Sequence, residues 1–305
     1  MKREVFEMAS DSKIHNWIMA ARLRTLPAAI APVIVGSALA FHDGGFRLLP
    51  ALAALFGAIF IQIGANFAND FMDFQKGADG GERFGPTRVT TAGLISERAM
   101  QLGTVLVFGL ASLCGVYLIF ASGWPVIVIG VLSILVALAY TGGPFPLGYH
   151  GLGEVFVLIF FGLAAVGGTY YVQALSYGLD VFGVSLAVGS LGMAILVVNN
   201  LRDVKADRMA GKRTTAVRFG VAWTRSEYRL MLAAAYTIPL IMAISGLLPV
   251  WVLLTLLCLP MAFNLSRHIG ADTGSLLNLS LAATGALELV FCLLLATGLV
   301  LSKFY

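Results

Sequence analysis

Charge is what this sequence has least of: only 12% of its 305 residues are Asp, Glu, Lys or Arg, where ordinary soluble domains carry about 25%. So little charge cannot cover a water-exposed surface, and a soluble globular fold is excluded. Cysteine is scarce as well. Cys114, Cys258 and Cys292 each fall inside an apolar run without Cys-x-x-Cys or Cys/His spacing, which leaves neither a disulfide framework nor a zinc site. His15, His42, His150 and His268 are scattered, against a histidine-based centre. The segment Met1 to Ile14 mixes both signs of charge and has no apolar stretch, so neither a cleavable signal nor an Arg/Ser-rich transit segment is expected there.

What the sequence has in abundance is apolar length: 59% of residues are hydrophobic. A helix needs about 20 apolar residues to cross a bilayer core, and nine runs qualify or nearly do, at residues 25–43, 49–70, 99–121, 124–141, 152–175, 181–201, 228–246, 250–264 and 281–301. They lack the strict alternation of a membrane β-barrel, so the expected class is all-α and polytopic, with nine transmembrane helices. With the N-terminus inside, 18 Lys and Arg residues fall on the cytoplasmic side and only Arg47 and Lys303 outside. That asymmetry follows the positive-inside rule, and it would collapse if one span were missed. The net positive charge therefore records topology, and no nucleic-acid partner is expected; the surrounding partner is membrane lipid. Acidic residues gather after spans 2 and 6, four spans apart, and Ser122-Gly123-Trp124-Pro125-Val126 is echoed by SGLLPV at residues 245–250. Two related four-helix halves plus a ninth helix account for both.

The first acidic segment runs Asn66-Phe67-Ala68-Asn69-Asp70-Phe71-Met72-Asp73 and on to Lys76, Gly77 and Asp79; the second runs Asn199-Asn200-Leu201-Arg202-Asp203-Val204-Lys205-Ala206-Asp207, then Gly211-Lys212-Arg213-Thr214. Residues three or four apart share a helix face. Asn66, Asn69, Asp70 and Asp73 thus form one polar stripe, and Asn199, Asn200, Asp203 and Asp207 form another. Oxygen ligands without Cys or His suit a hard cation such as Mg²⁺, which is held by one or two carboxylates and by substrate phosphates. Arg83, Arg88, Lys205, Lys212 and Arg213 can take phosphate oxygens that the metal leaves free. Solvated loops would explain one such cluster, but two matching stripes at the membrane boundary point to function, because charge near hydrocarbon is expensive.

At these residues the chain resembles the UbiA superfamily of intramembrane prenyltransferases, with its N-D-x-x-D-x-x-x-D and D-x-x-x-D signatures. Asn69, Asp70 and Asp73 match the first, while Gly77 stands at its last Asp position and Asp79 follows. That pattern is similar to the branch acting on 1,4-dihydroxy-2-naphthoate. So are Arg22-Leu23-Arg24-Thr25-Leu26-Pro27, with Leu23 where Pro is usual, Tyr140-Thr141-Gly142-Gly143-Pro144 with Gly151 to Glu154, and Arg202 to Thr214, with Thr215 where Leu is common.

The resemblance spans essentially the whole chain and implies one transmembrane prenyltransferase domain over residues 1–305, its helices around a central cavity. A cytoplasmic segment 1–24 and cap loops 71–98 and 202–227 complete it. It further implies a polyprenyl diphosphate donor, 1,4-dihydroxy-2-naphthoate as acceptor, loss of CO₂, and a demethylmenaquinone product in menaquinone biosynthesis. Asp70, Asp73, Asp203 and Asp207 are the expected metal ligands, with Asp79 as a further catalytic acid. Arg22 and Tyr140 join the two stripes and the basic residues as substrate contacts. The alternatives are another aromatic or lipid acceptor, or a cation transporter, whose acids belong nearer mid-membrane.

The expected address is the cell (inner) membrane, with the N-terminus and active site cytoplasmic. A cysteine introduced at Ala210 should then react with an impermeant thiol reagent only from the cytoplasmic side of sealed vesicles. Labelling from outside would overturn the orientation.

Overall fold

The computed structural model describes residues 13–77, 85 and 88–305, and among them the chain is helical without strands. A short helix, α1, covers residues 13–21. The membrane helices follow as α2 (Leu26–His42), α3 (Leu48–Gln75), α4 (Glu97–Ser122), α5 (Pro125–Thr141), α6 (Gly153–Ala174), α7 (Leu179–Met209), α8 (Thr215–Ile244), α9 (Val250–Ala271) and α10 (Leu277–Leu301). Among the described residues eight segments are long and apolar enough to cross a membrane, and α5 is a shorter ninth. The chain is a multi-pass membrane protein.

Five features differ from the sequence expectation. Helices α3 and α7 run past the expected span ends at residues 70 and 201 to Gln75 and Met209, because their polar turns find partners that keep them helical. Helix α8 begins at Thr215, where the Thr214 hydroxyl accepts from the Val217 amide, and it breaks at Gly220 (φ 84°) before resuming. The opening of α9, Val250–Cys258, is a tighter 3₁₀ stretch. Finally, residues 13–21 are not a bare extension: Trp17 packs on Phe67 with ring centroids 5.3 Å apart, and Ala20 and Ala21 are buried in one cluster with Phe67, Ala68 and Phe71.

Between α1 and α2 the backbone turns through Arg22 in the left-handed region (φ 51°), which is rare for a side chain with a Cβ. Asn66 of α3 holds this turn by donating to the Ala21 carbonyl and the Thr25 hydroxyl, each at 3.0 Å. Gln62 donates to the same hydroxyl at 3.2 Å.

Helix α2 packs against α3, α6 and α10, and α10 packs against α2, α7 and α9, which closes the bundle into a ring. The principal core joins α2, α6, α7, α8, α9 and α10 around residues such as Val35, Leu39, Leu191, Tyr228, Phe291 and Leu295. In lipid, helices associate through close packing more than through water release, and small residues allow the approach. Gly36, Gly162 and Gly189 do this around α6: a Cβ at Gly162 would stand 2.5 Å from the Ser185 carbonyl oxygen, and one at Gly36 would run into the Val166 carbonyl. The facing part of α6, Leu158–Gly167, is π-helical, a wider coil often found at functional sites. Glu288 of α10 faces this bundle, fully buried, and among the described residues neither of its carboxyl oxygens has a hydrogen-bond partner. Gly162→Leu should therefore push α6 from α7 and lower stability by about 1–3 kcal/mol, read as a reduced unfolding temperature in detergent. Gly130→Leu, facing open space, is the control.

Candidate active site

Helices α3 and α7 each end in a glycine that takes a left-handed turn, Gly77 (φ 63°) and Gly211 (φ 71°). Glycine adopts this conformation at no steric cost and is the usual residue just past a helix end. Gly77 at the last Asp position of the first signature is thus a helix stop. The Lys76 amide donates to Met72, and the Lys212 amide donates to Asp207 at 2.8 Å. The two polar stripes therefore stop at the same kind of turn, each with a lysine beside it.

All four described motif acids are buried, and every one has a cation or a pair of donors against it. Asp70 accepts from the Val89 and Thr90 amides at 3.3 and 2.9 Å and lies 3.9 Å from Arg22. Asp73 takes Arg88 at 2.5 Å, the Tyr149 hydroxyl at 3.3 Å and the Lys212 ammonium at 3.6 Å. Asp203 is held by two nitrogens of Arg202, at 2.8 and 2.5 Å. Asp207 lies 4.0 Å from Lys212. Lys212 thus bridges the first motif to the second with one positive charge.

Removing one partner from a buried pair costs about 3–5 kcal/mol because the other charge is stranded. This compensation is accordingly what allows four acids to gather here. Lys76, at the end of α3, has its pKa lowered by desolvation first, an effect that nearby Lys212 reinforces and Asp73 opposes.

The other expected residues divide between the cluster and its supports. Asn69 and Tyr140 line a cavity of about 360 Å³ below the acids, and Asn69 accepts from the Thr141 hydroxyl at 2.7 Å. Asn66 reaches the same cavity although its amide nitrogen is committed to the Arg22 turn. Asn199 accepts from Arg202 at 2.8 Å, behind Asp203. Asn200 donates to Glu154 at 2.7 Å. Lys205 and Arg213 are exposed at the rim. Asp79 and Arg83 lie outside the described residues.

Sequence reasoning passed over three participants. Lys76 is absent from the expected phosphate contacts, although its position beside a glycine-capped motif helix parallels that of Lys212. Arg202 was legible as the neighbour of Asp203. Tyr149 had no signal in either motif.

Below the acids the cavity runs into the bundle between α2, α3, α4, α5 and α6, walled by Ala29, Val33, Gly57, Ile61, Ile129, Phe160, Phe161 and Gly168 among others. Phe67 and Phe71, on the motif helix itself, pack into the α1–α3 cluster and not along the cavity. Tyr170 donates to Asp43 at 2.7 Å near the far end of α2. The arrangement combines a charged mouth and a long apolar interior, which suits a ligand with an anionic head and a hydrocarbon tail.

A divalent cation fits the mouth by its donor chemistry. Among the described residues no three His, Cys, Asp or Glu side chains converge as a self-sufficient metal site. Mg²⁺ does not require one, since it keeps water and takes phosphate oxygens beside one or two carboxylates. The Lys212 charge between Asp73 and Asp207 marks the gap between the motifs as a position that favours a cation.

Behind the second motif, buried Glu154 accepts from Asn200 and, at 2.5 Å, from the Thr215 hydroxyl at the start of α8. Glu154→Leu would strand both donors and lower stability by about 2–4 kcal/mol, whereas Glu154→Gln keeps an acceptor and stays close to the unmodified protein. Thermal unfolding of the two variants in detergent checks this, and equal melting would refute it.

The family model described as UbiA prenyltransferase family matches residues 29–275. The chain is 36% identical to the 1,4-dihydroxy-2-naphthoate octaprenyltransferase of Mycobacterium tuberculosis over 285 residues, 93% of this chain and 96% of that protein. It is likewise 36% identical to the Escherichia coli protein of the same description, over 85% of this chain and 86% of that one. Among solved structures, a UbiA homolog from Archaeoglobus fulgidus bound to GPP and Mg²⁺ superposes with a TM-score of 0.69 at 13% identity, covering 93% of this chain and 99% of that one. That likeness is one of fold.

Proposed function

We infer the reaction from one premise: the chain belongs to the UbiA prenyltransferase family and is an enzyme that transfers a prenyl group. We propose that the donor is a polyprenyl diphosphate, that the acceptor is 1,4-dihydroxy-2-naphthoate, and that the product is a demethylmenaquinone. The acceptor rests on the relatives named for that compound, which align along most of the chain. The observation that carries the site is the meeting of both Asp motifs at Lys212, directly above an apolar cavity.

In this reading Asp70 and Asp73 from one side and Asp203 and Asp207 from the other hold Mg²⁺ against the donor's diphosphate. When bound, the metal neutralises the charge that grows on the leaving diphosphate. Arg22, Arg88, Lys76 and Lys212 lie close enough to share that charge, and Arg202 keeps Asp203 in place. The carboxylates and cations are set before substrate arrives, so little reorganisation remains for the moment of bond cleavage. The apolar cavity takes the isoprenoid tail and excludes water, which would otherwise capture an allylic cation. Tyr140 and Asn69 stand where the charged mouth meets the apolar interior, and an aromatic face there favours positive charge. Two ring hydroxyls make the acceptor electron-rich. Attack from its carboxylate-bearing carbon leaves a ketone-like adduct that rearomatises by expelling CO₂.

The cap comprises residues 71–98, among which the Val89 and Thr90 amides donate to Asp70, and the segment 202–227. Together with residues 1–24 they belong to one domain of 305 residues in the cell membrane, the site opening to the cytoplasm.

Asp70→Asn, Asp73→Asn, Asp203→Asn and Asp207→Asn should each lower turnover by about a hundredfold or more, with chelator abolishing activity and Mg²⁺ restoring it. Purified protein given polyprenyl diphosphate and carboxyl-labelled dihydroxynaphthoate should release labelled CO₂ in step with product. Product that retains its label, or better use of 4-hydroxybenzoate, would remove the naphthoate assignment and leave the diphosphate site standing.

A further inference from the structure

Tyr149 belongs to neither motif, yet both motifs end on it. Its ring centroid lies 4.8 Å from the Lys76 ammonium, delivered by the cap of α3, and 4.8 Å from the Lys212 ammonium, delivered by the cap of α7. Its hydroxyl donates to Asp73 at 3.3 Å. The residue sits in a 3₁₀ turn, Leu147–Tyr149, in the connection between α5 and α6. Its carbonyl accepts from the Arg213 amide at 2.8 Å, so the backbone that carries the ring is fastened to the second motif's own turn. Lys76 is anchored in addition by the Thr141 carbonyl.

Two ammonium groups at the mouth of one cavity repel each other, and free lysines are long enough to part into solvent. An aromatic face attracts a cation through its negative quadrupole and removes that freedom from both at once. We propose that Tyr149 is a positioning residue for donor binding, its ring holding Lys76 and Lys212 as a matched pair on the diphosphate. The proposal rests on the diphosphate reading above and assigns Lys76 to the site as the first half's counterpart of Lys212. The pair is pre-set, so its effect falls on capture of the anionic head, which substrate and transition state share.

The test uses the full-length protein in detergent, with Mg²⁺-pyrophosphate binding measured by titration calorimetry and steady-state kinetics measured with a polyprenyl diphosphate. Tyr149→Leu should weaken pyrophosphate binding and raise the donor KM about tenfold while kcat stays within about threefold. The KM for acceptor should not move. Tyr149→Phe, which keeps the ring and loses the hydroxyl, should bind pyrophosphate within about threefold of the unmodified protein. Lys76→Met should cost about as much as Tyr149→Leu alone and add little to it in the double variant, because the two act as a unit.

Unchanged pyrophosphate affinity in Tyr149→Leu would overturn the proposal, as would a Phe variant as weak as the Leu variant. Should the Leu variant fail to accumulate folded, Lys76→Met decides alone, and an unaltered affinity there refutes the pairing. Failure of the unmodified protein to bind Mg²⁺-pyrophosphate would remove the diphosphate reading itself, and with it this proposal.

Discussion

Four buried carboxylates meet at one mouth of the helix bundle, and each needs a donor or a cation against it; most of the site's construction follows from that. Asp70 and Asp203 are met by backbone amides and by a two-nitrogen arginine grip. Asp73 and Asp207 share the Lys212 charge. Val89 and Thr90 are tied down because they supply those amides, and α7 stays helical past its apolar run because Asp207 meets Lys212 just beyond the helix and Asp203 meets Arg202, itself anchored to Asn278. A carboxylate without such a partner would cost several kcal/mol of desolvation, so the fold and the site cannot be separated here.

The same requirement explains the doubled plan. Each half sends one long helix out of the membrane, turns it on a left-handed glycine and leaves a lysine at the turn. Lys212 of the second half brings its charge to Asp73 of the first. Brought together, the halves form a mouth in which cations lie against each of the four acids. The cavity beneath is apolar because no acid lies along it. Such an interior suits the isoprenoid chain of the proposed donor.

The supporting residues carry a different kind of precision. Asn66 spends its amide on the strained turn at Arg22, Asn199 backs Arg202, and Asn200 reaches Glu154. In each case a residue that the stripe offers as a substrate contact is used to hold a neighbouring side chain or turn in place. The stripes are therefore only partly ligand surface; the remainder is the frame that orients it.

Hydropathy and the Lys/Arg asymmetry alone determined the helical membrane class, the nine spans and the two sites of acidity, because crossing a bilayer imposes a length and a charge bias that appear locally in the chain. Helical spacing likewise determined that Asp70 lies beside Asp73 and that Asp203 lies beside Asp207. Only the tertiary structure decided which cation meets which acid, that Gly77 stops a helix, that Phe67 and Phe71 pack away from the cavity, and that Tyr149 stands between two lysines 136 positions apart. Those outcomes depend on long-range contacts between helix ends and loops. A single aromatic residue in a glycine-rich connection has no periodicity to betray its neighbours, and the distance between two charges in different halves is set by how the bundle closes.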